Sequence, residues 1–418
     1  MVEEQYNDDE LHAPEWMNKE FFEKILRETD NDDSIKVQEV QMKPGSAKGD
    51  HYGSIMFRAI INYECKNSKN QEKSLIVKTM PFVDGPKKEM LQGMNIFDIE
   101  IKMYNEIIPK FQKILKDSGD NTELGGKCLY AATEPQEILI FEDLTKKNYK
   151  TVTNWGGSWE VGKKAVEKLA KWHAMSFKMV NDGDDSLQKF NKNGFTDDKI
   201  KEVPMFVNGF SDFVKMLKTK PEFEKYAPKF EKLSTEDPIS KTQVLFNAFI
   251  NGDKANLFVL NHGDFHIKNL MFTEKDDGKV DEVLLVDFQL CIWGPAVIDL
   301  IYMLYMMMDG ESRINRRNEI IHYYFETFTE TLKKLKFSGE YPKLTNLYKD
   351  FITYKDFELL MLTTMLPFIT AIQEDPTLDI GQVMHGNDDI RKSFYENENY
   401  LTYVRQILPI LLYTGFLD

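Results

Sequence analysis

At 418 residues the chain is too long for one compact core and about right for two or three domains or a two-lobed enzyme. Its 42% hydrophobic and 12% aromatic residues can bury a sizeable interior, which excludes wholesale disorder. A formal net charge of −15 speaks against a nucleic-acid partner and against docking on anionic lipid, because no broad basic face can be assembled.

Residues 1–13 are polar, and Pro14 and Trp16 open an amphipathic helix with Phe21, Phe22, Ile25 and Leu26 on one side. From about Ile35 short β-rich runs take over. Ser54 to Tyr63 and Ser74 to Met80 read as strands on either side of a polar turn at 66–73. A helix is expected over 95–115, then short strands at Cys128 to Ala131 and Ile138 to Phe141. After Thr145 the pattern turns helical, with helices expected at 158–181, 205–218, 222–233, 238–251, 296–308, 313–335, 348–371 and 397–413. The exception lies within 257–290. There Asn269 to Thr273 and Glu282 to Asp287 flank a polar linker, and Asp277-Gly278 inside it is a strong hairpin signal. A β-rich first third before a helical remainder predicts an α+β, two-lobed layout. The expected divisions are an N-terminal extension with a helix (1–30), a β-rich N-lobe (31–143) and a mainly helical C-lobe (144–418).

Cys65, Cys128 and Cys291 stand far apart and odd in number, so neither a disulfide framework nor a zinc spacing can be built from them. The opening Met1-Val2-Glu3-Glu4-Gln5 is acidic where a secretory leader is basic and then apolar. The longest apolar run, Pro295 to Met308, is short for a membrane span and contains Asp299. A cytoplasmic monomer with no membrane partner is expected.

The chemistry concentrates in Asn261-His262-Gly263-Asp264-Phe265-His266-Ile267-Lys268-Asn269 and, beyond the hairpin, Val286-Asp287-Phe288-Gln289. Phosphoryl transfer from ATP needs a carboxylate to position and deprotonate the acceptor hydroxyl, and oxygen ligands to hold Mg²⁺ against the phosphates. Asp264 suits the first task, and Asn269 and Asp287 suit the second. The last two fall at the open ends of the hairpin's strands, which pair about 4.8 Å apart. A lone loop Asp is more often a cap or turn residue; the ordered set is what points to chemistry. His262 reads as a packing residue, and Asp299 as a tie between its helix and this loop. His262, Asp264 and His266 also spell H-x-D-x-H, as in some metal-dependent hydrolases, but the other five histidines lack ligand spacing. A kinase fold that binds without turnover is a further alternative, against which the full set of expected catalytic side chains counts.

The HGD-x₄-N string followed by Asp-Phe-Gln resembles the choline-kinase and aminoglycoside-phosphotransferase group, relatives of protein kinases with Gly in place of the catalytic-loop Arg. The match narrows further with Pro14-Glu15-Trp16, Ile76-Val77-Lys78-Thr79, Phe97-x-x-Glu100-x-x-x-Tyr104, Glu142-Asp143-Leu144 and Leu169-Ala170-Lys171-Trp172-His173-Ala174-x-Ser176. In that order they look like the insect ecdysteroid-kinase-like family, and the likeness runs from residue 14 to about 300. It implies a protein-kinase-like fold with ATP and Mg²⁺ as cofactors. By the same resemblance Lys78 would hold the α- and β-phosphates with Glu100 paired to it, and backbone at Glu142, Asp143 and Leu144 would meet the adenine. Gly49, Gly53 and Ser54 would form the turn over the phosphates, where Asp50 and His51 depart from the family's pattern. The implied acceptor is a small hydroxylated, fairly apolar molecule, an ecdysteroid or another steroid or xenobiotic alcohol. Clusters such as Met303, Met306, Phe357 and Met361 could line its pocket, but stripes at helical spacing are more often core.

Overall fold

The computed structural model describes residues 12–45, 54–66, 68–84, 88–89, 91, 95–134, 136–152, 158–234, 237–375, 378 and 388–418. The architecture is α+β, β-rich first and mainly helical afterwards, as the sequence predicts. Two compact units are present: Met1–Lys110 with Gly125–Lys150, and Phe111–Leu124 with Thr151–Asp418.

The first unit is built on a five-stranded antiparallel sheet in the order β1-β2-β3-β5-β4. The strands are β1 (Lys36–Pro44), β2 (Ile55–Cys65), β3 (Ser68–Thr79), β4 (Cys128–Ala132) and β5 (Ile138–Glu142). Along β2 the residues Ile55, Phe57, Ala59 and Ile61 are buried in strict alternation, the period-2 signal of a half-buried strand. They meet Phe22, Ile25 and Leu26 of the helix Lys19–Asp30 in one core. Burying side chains of this size is worth about 1.5–3 kcal/mol each. Asn18 caps that helix by accepting from the Phe21 N–H at 3.1 Å, and Asn31 ends it in the left-handed region. After the sheet's first three strands comes the helix Ile96–Lys102, which runs through a π-helical turn, Met103–Ile107, into Ile108–Asp117.

A two-residue strand, β6 (Lys150–Thr151), precedes the long helix Trp159–Asn181. Four strands follow in the second unit: β7 (Phe258–Asn261), β8 (Leu270–Glu274), β9 (Val280–Leu285) and β10 (Ile292–Pro295). β8 and β9 form the expected hairpin, turning at Gly278 with φ +79°. The pairing of β7 with β10 was not foreseen, because four-residue strands buried on both faces show no alternation. The helix Val297–Met306 is buried at every position, which accounts for its unbroken apolar run.

The single helix expected over 348–371 is in fact four pieces: Leu344–Thr353, Lys355–Leu360, a π-helical turn at Met361–Met365, and Leu366–Glu374. Pro367 has no N–H to give the Thr363 carbonyl, so the ladder breaks there. The Tyr395 hydroxyl donates to that carbonyl instead, at 2.7 Å, and the Tyr400 hydroxyl to that of Leu362 at 3.0 Å. Among the described residues no helix is long and apolar enough to cross a membrane.

Candidate active site

In the first unit Lys78 lies one residue before the end of β3, opposite Leu139 of β5. Its Nζ meets Glu100 Oε2 at 2.5 Å, and both side chains are buried. A buried pair like this is hard to break on one side only, because the survivor would be an uncompensated charge. The Glu100 charge also reaches Cys128, whose thiol is pushed up to about 12, by burial first and by that carboxylate second. Ser54 is buried just ahead of β2, whereas Gly49 and Gly53, with Asp50 and His51, lie outside the described residues.

Glu142 ends β5, and the turn after it uses both acidic side chains structurally. The Asp143 carboxylate accepts from Ser74 Oγ at 2.6 Å, Thr145 Oγ1 at 2.7 Å and Thr145 N at 3.1 Å, with Arg58 Nε at 3.1 Å. Burial pushes its pKa up, but these hydrogen bonds and the guanidinium outweigh it and hold the group below the usual carboxylate range. Glu142 accepts from the Lys127 N–H at 3.2 Å and pairs with Lys147 at 2.5 Å, and Leu144 is buried.

In the second unit the catalytic-loop string is clamped from two helices. On Trp159–Asn181, Trp172 Nε1 donates to the Leu260 carbonyl at 2.7 Å, and Ser176 Oγ accepts from the Leu260 N–H at 3.0 Å. Spacing of four residues puts both on one face of the helix, along β7. From Val297–Met306, the buried Asp299 carboxylate accepts from the His262 N–H at 2.6 Å and the Gly263 N–H at 2.9 Å. His173 ties the helices together, with Nε2 at 3.1 Å from Asp299 and Nδ1 at 2.8 Å from the Tyr324 hydroxyl. The expected tie between Asp299 and the loop is therefore present.

This clamping presents Asp264 as a partly buried carboxylate. Asn269 Nδ2 donates to Asp264 Oδ2 and to the Asp264 carbonyl, both at 3.0 Å. His266 Nδ1 accepts from the Lys268 N–H, which leaves the ring proton on Nε2, 3.3 Å from Asp264 Oδ2. Burial raises the Asp264 pKa, yet the His266 and His262 rings and the Asn269 hydrogen bond outweigh that and lower it overall. The group is a carboxylate near neutral pH.

Asn269 and Asp287 are brought together by strand register. Leu270 faces Leu285, and the Val286 N–H donates to the Asn269 carbonyl at 3.1 Å, so Asp287 follows directly. Asp287 has φ +68°, a left-handed backbone, and its Oδ2 accepts from Gln289 Nε2 at 3.2 Å. Phe288 beyond it is buried, stacked on Trp172 at 5.2 Å and close to the His262 ring at 5.0 Å. His262 packs as expected: its ring is buried, Nε2 is 3.1 Å from the Val286 carbonyl, and burial lowers its pKa despite three nearby carboxylates. The donor set suits a hard divalent cation, since Asn269 commits its amide nitrogen to Asp264 and keeps its oxygen, while Asp287 adds a carboxylate. The H-x-D-x-H reading finds no such convergence: His262 faces Val286, and among the described residues no three His, Cys, Asp or Glu side chains form a metal cluster.

Sequence reasoning missed Tyr302, which is buried and close enough to Asp264 that burial first, and that carboxylate's charge second, raise its phenol well above the ordinary tyrosine pKa. Its signal was present: Tyr302 stands three residues after Asp299 on one helix, hence on the same face.

The chain is a small-molecule kinase, a phosphotransferase whose acceptor group is a hydroxyl. It belongs to the ecdysteroid kinase-like family, whose profile matches residues 48–337, more than half of its length. No curated protein matches it. Among solved structures it is similar to a choline kinase from Streptococcus pneumoniae, with 16% identity, 93% of this chain and 99% of that one covered, and a TM-score of 0.37. An ADP-bound aminoglycoside phosphotransferase shares 12% identity over 92% of this chain and 98% of its own, with a TM-score of 0.33. A macrolide 2'-phosphotransferase from Brachybacterium faecium shares 7% identity over 86% and 99%, also with a TM-score of 0.33.

Proposed function

We propose that the protein is an ATP- and Mg²⁺-dependent kinase that phosphorylates a hydroxyl of an apolar acceptor, an ecdysteroid or a related steroid or xenobiotic alcohol. The observation that carries this reading is the Asp264–Asn269 hydrogen bond at 3.0 Å, in a loop whose hairpin returns to Asp287. Asp264 accepts a hydrogen bond from the acceptor hydroxyl. As that oxygen bonds to the γ-phosphorus, the bond from phosphorus to the bridging oxygen breaks, ADP leaves, and the hydroxyl proton passes to the Asp264 carboxylate. Asn269 and Asp287 are the residues that would hold Mg²⁺, which when bound neutralises charge on the phosphates. Lys78, oriented by Glu100, grips the α- and β-phosphates; Gly49, Gly53 and Ser54 cover them; backbone at Glu142, Asp143 and Leu144 meets the adenine. In this reading residues 31–143 form the nucleotide-binding lobe and 144–418 the catalytic lobe, with 1–30 an extension, in a cytoplasmic monomer. The family's description supports an apolar acceptor.

The test is transfer of labelled γ-phosphoryl to a panel of ecdysteroids, sterols and phenols. A phosphorylated product is expected, and Asp264→Asn should lower kcat by about 10²–10⁴-fold with the KM for ATP little changed. ATP binding with no phosphorylated product from any acceptor would instead favour the kinase-fold binding protein.

A further inference from the structure

One member of the H-x-D-x-H string has no part in the proposed transfer. His266 stands two residues after Asp264, at the head of the 3₁₀ turn Ile267–Asn269, and is partly buried. Its ring is engaged at both nitrogens. Nδ1 accepts from the Lys268 N–H at 3.2 Å and so caps the turn, a task more often given to Ser, Thr, Asp or Asn. That bond puts the ring proton on Nε2, which lies 3.3 Å from Asp264 Oδ2. The backbone of His266 is held as well. Its N–H donates to the Asp264 carbonyl at 2.9 Å, and its own carbonyl accepts from the Asn269 N–H at 3.0 Å. Asn269 Nδ2 reaches the same Oδ2 at 3.0 Å, so ring and amide converge on one oxygen of the carboxylate. The last torsion of an aspartate is broad, and a carboxylate without such contacts turns readily.

We propose that His266 is a positioning residue for phosphoryl transfer: its capping ring aims Nε2–H at Oδ2 and, with Asn269, holds the Asp264 carboxylate in the orientation that meets the acceptor hydroxyl. The cap makes the aim dependable, because it fixes both the tautomer and the direction of the ring. Phosphoryl transfer relies mainly on positioning, which makes a fixed carboxylate matter more than a basic one. This role rests on Asp264 being the base, and the test separates the two.

The two ring nitrogens can be removed one at a time. In His266→Asn the short amide still takes the Lys268 N–H but falls short of Asp264, whereas in His266→Gln the longer amide reaches Asp264 and gives up the cap. His266→Asn should lower kcat about tenfold, with the KM for ATP and the melting temperature little changed. His266→Gln should keep most of the rate while melting at a lower temperature. In an Asp264→Asn background, His266→Asn should cost nothing further, because the amide is no longer a base to be aimed. Two reactions are followed: phosphorylation of ecdysone by ATP with Mg²⁺, and slow ATP hydrolysis without acceptor, in which water takes the hydroxyl's place. Independently of rates, the ¹⁵N spectrum of histidine-labelled protein should show the His266 proton on Nε2, and a proton on Nδ1 instead would overturn the proposal. If His266→Asn matches wild type while Asp264→Asn is crippled, the positioning role is overturned and the base stands. If His266→Gln loses as much rate as His266→Asn, or if the loss in His266→Asn persists in full beside Asp264→Asn, the ring acts through the fold, which also overturns the proposal. If Asp264→Asn itself matches wild type, the base assignment falls, and the role of His266 with it.

Discussion

Asp287 sits in a backbone conformation that its side chain disfavours, with φ +68° two residues beyond the end of β9. For a non-glycine residue this costs about 1–2 kcal/mol. Such strain persists where the surroundings impose it, and it clusters at functional sites. The buried Phe288 and the Gln289 hydrogen bond hold the turn in place. Two outcomes follow that a purely structural Asp would not give together. Asp287→Gly relieves the strain, so thermal melts should show it no less stable than wild type. Yet it should lose Mg²⁺-dependent turnover, and Asn269→Ala should shift the Mg²⁺ requirement upward and slow turnover, having removed a neutral ligand together with the two hydrogen bonds its amide gives Asp264. Turnover at the wild-type level across a Mg²⁺ titration of Asp287→Gly would remove Asp287 from the metal site. The residue types at 264, 269 and 287 were legible in the sequence. The strain at 287 was not, because nothing local to Val286-Asp287-Phe288 demands a left-handed turn.

At the scale of elements, the loop between β7 and the hairpin depends on one glycine. Gly263 has φ +82°, and a Cβ built there would lie 1.9 Å from the Leu290 carbonyl oxygen. That carbonyl also accepts from Asn193 Nδ2 at 3.1 Å, so it is held and cannot easily retreat. Gly263→Ala therefore combines left-handed strain with a backbone clash beside β10. It should destabilise by upward of about 2 kcal/mol and disturb the Gly263 N–H bond to Asp299. Chemical denaturation checks this, and a midpoint equal to wild type would mean that the close approach is relaxed in solution. The elements that sequence reading located most closely, β2 and the hairpin, have clear alternation or a turn signal at Asp277-Gly278, whereas β3 does not alternate and begins at Ser68, inside the stretch expected to be a turn. Those it missed have a physical reason. β10 is too short and too buried to alternate, and the break near Pro367 is completed by Tyr395 and Tyr400, distant residues that no local window contains.

For the molecule as a whole, the residues that mark the family are largely those that hold its fold. Trp172, His173 and Ser176 of the family's pattern, together with Asp299, fasten β7 and its loop, so that pattern was readable in the sequence while the acceptor's identity was not. The same fastening carries a dependence on pH. His173 and His262 are both buried, and burial lowers each below the ordinary histidine value of 6.5, against the pull of nearby carboxylates. A histidine whose folded pKa is depressed binds fewer protons folded than unfolded once the pH falls below 6.5. Stability is then complete above that value and falls on acidification, until the pH reaches the folded-state pKa values. Each histidine contributes a slope of up to about 1.4 kcal/mol per pH unit in that window. The cause is mainly desolvation inside the protein, so added salt should change the slope little. Melting temperatures followed from pH 8 to pH 5 should therefore be level at first and then drop from about pH 6.5, at low and high salt alike. A melting temperature that holds or rises between pH 6.5 and 5 would mean that these two rings are charged in the fold, and the neutral clamp of His173 on Asp299 and Tyr324 would have to be abandoned.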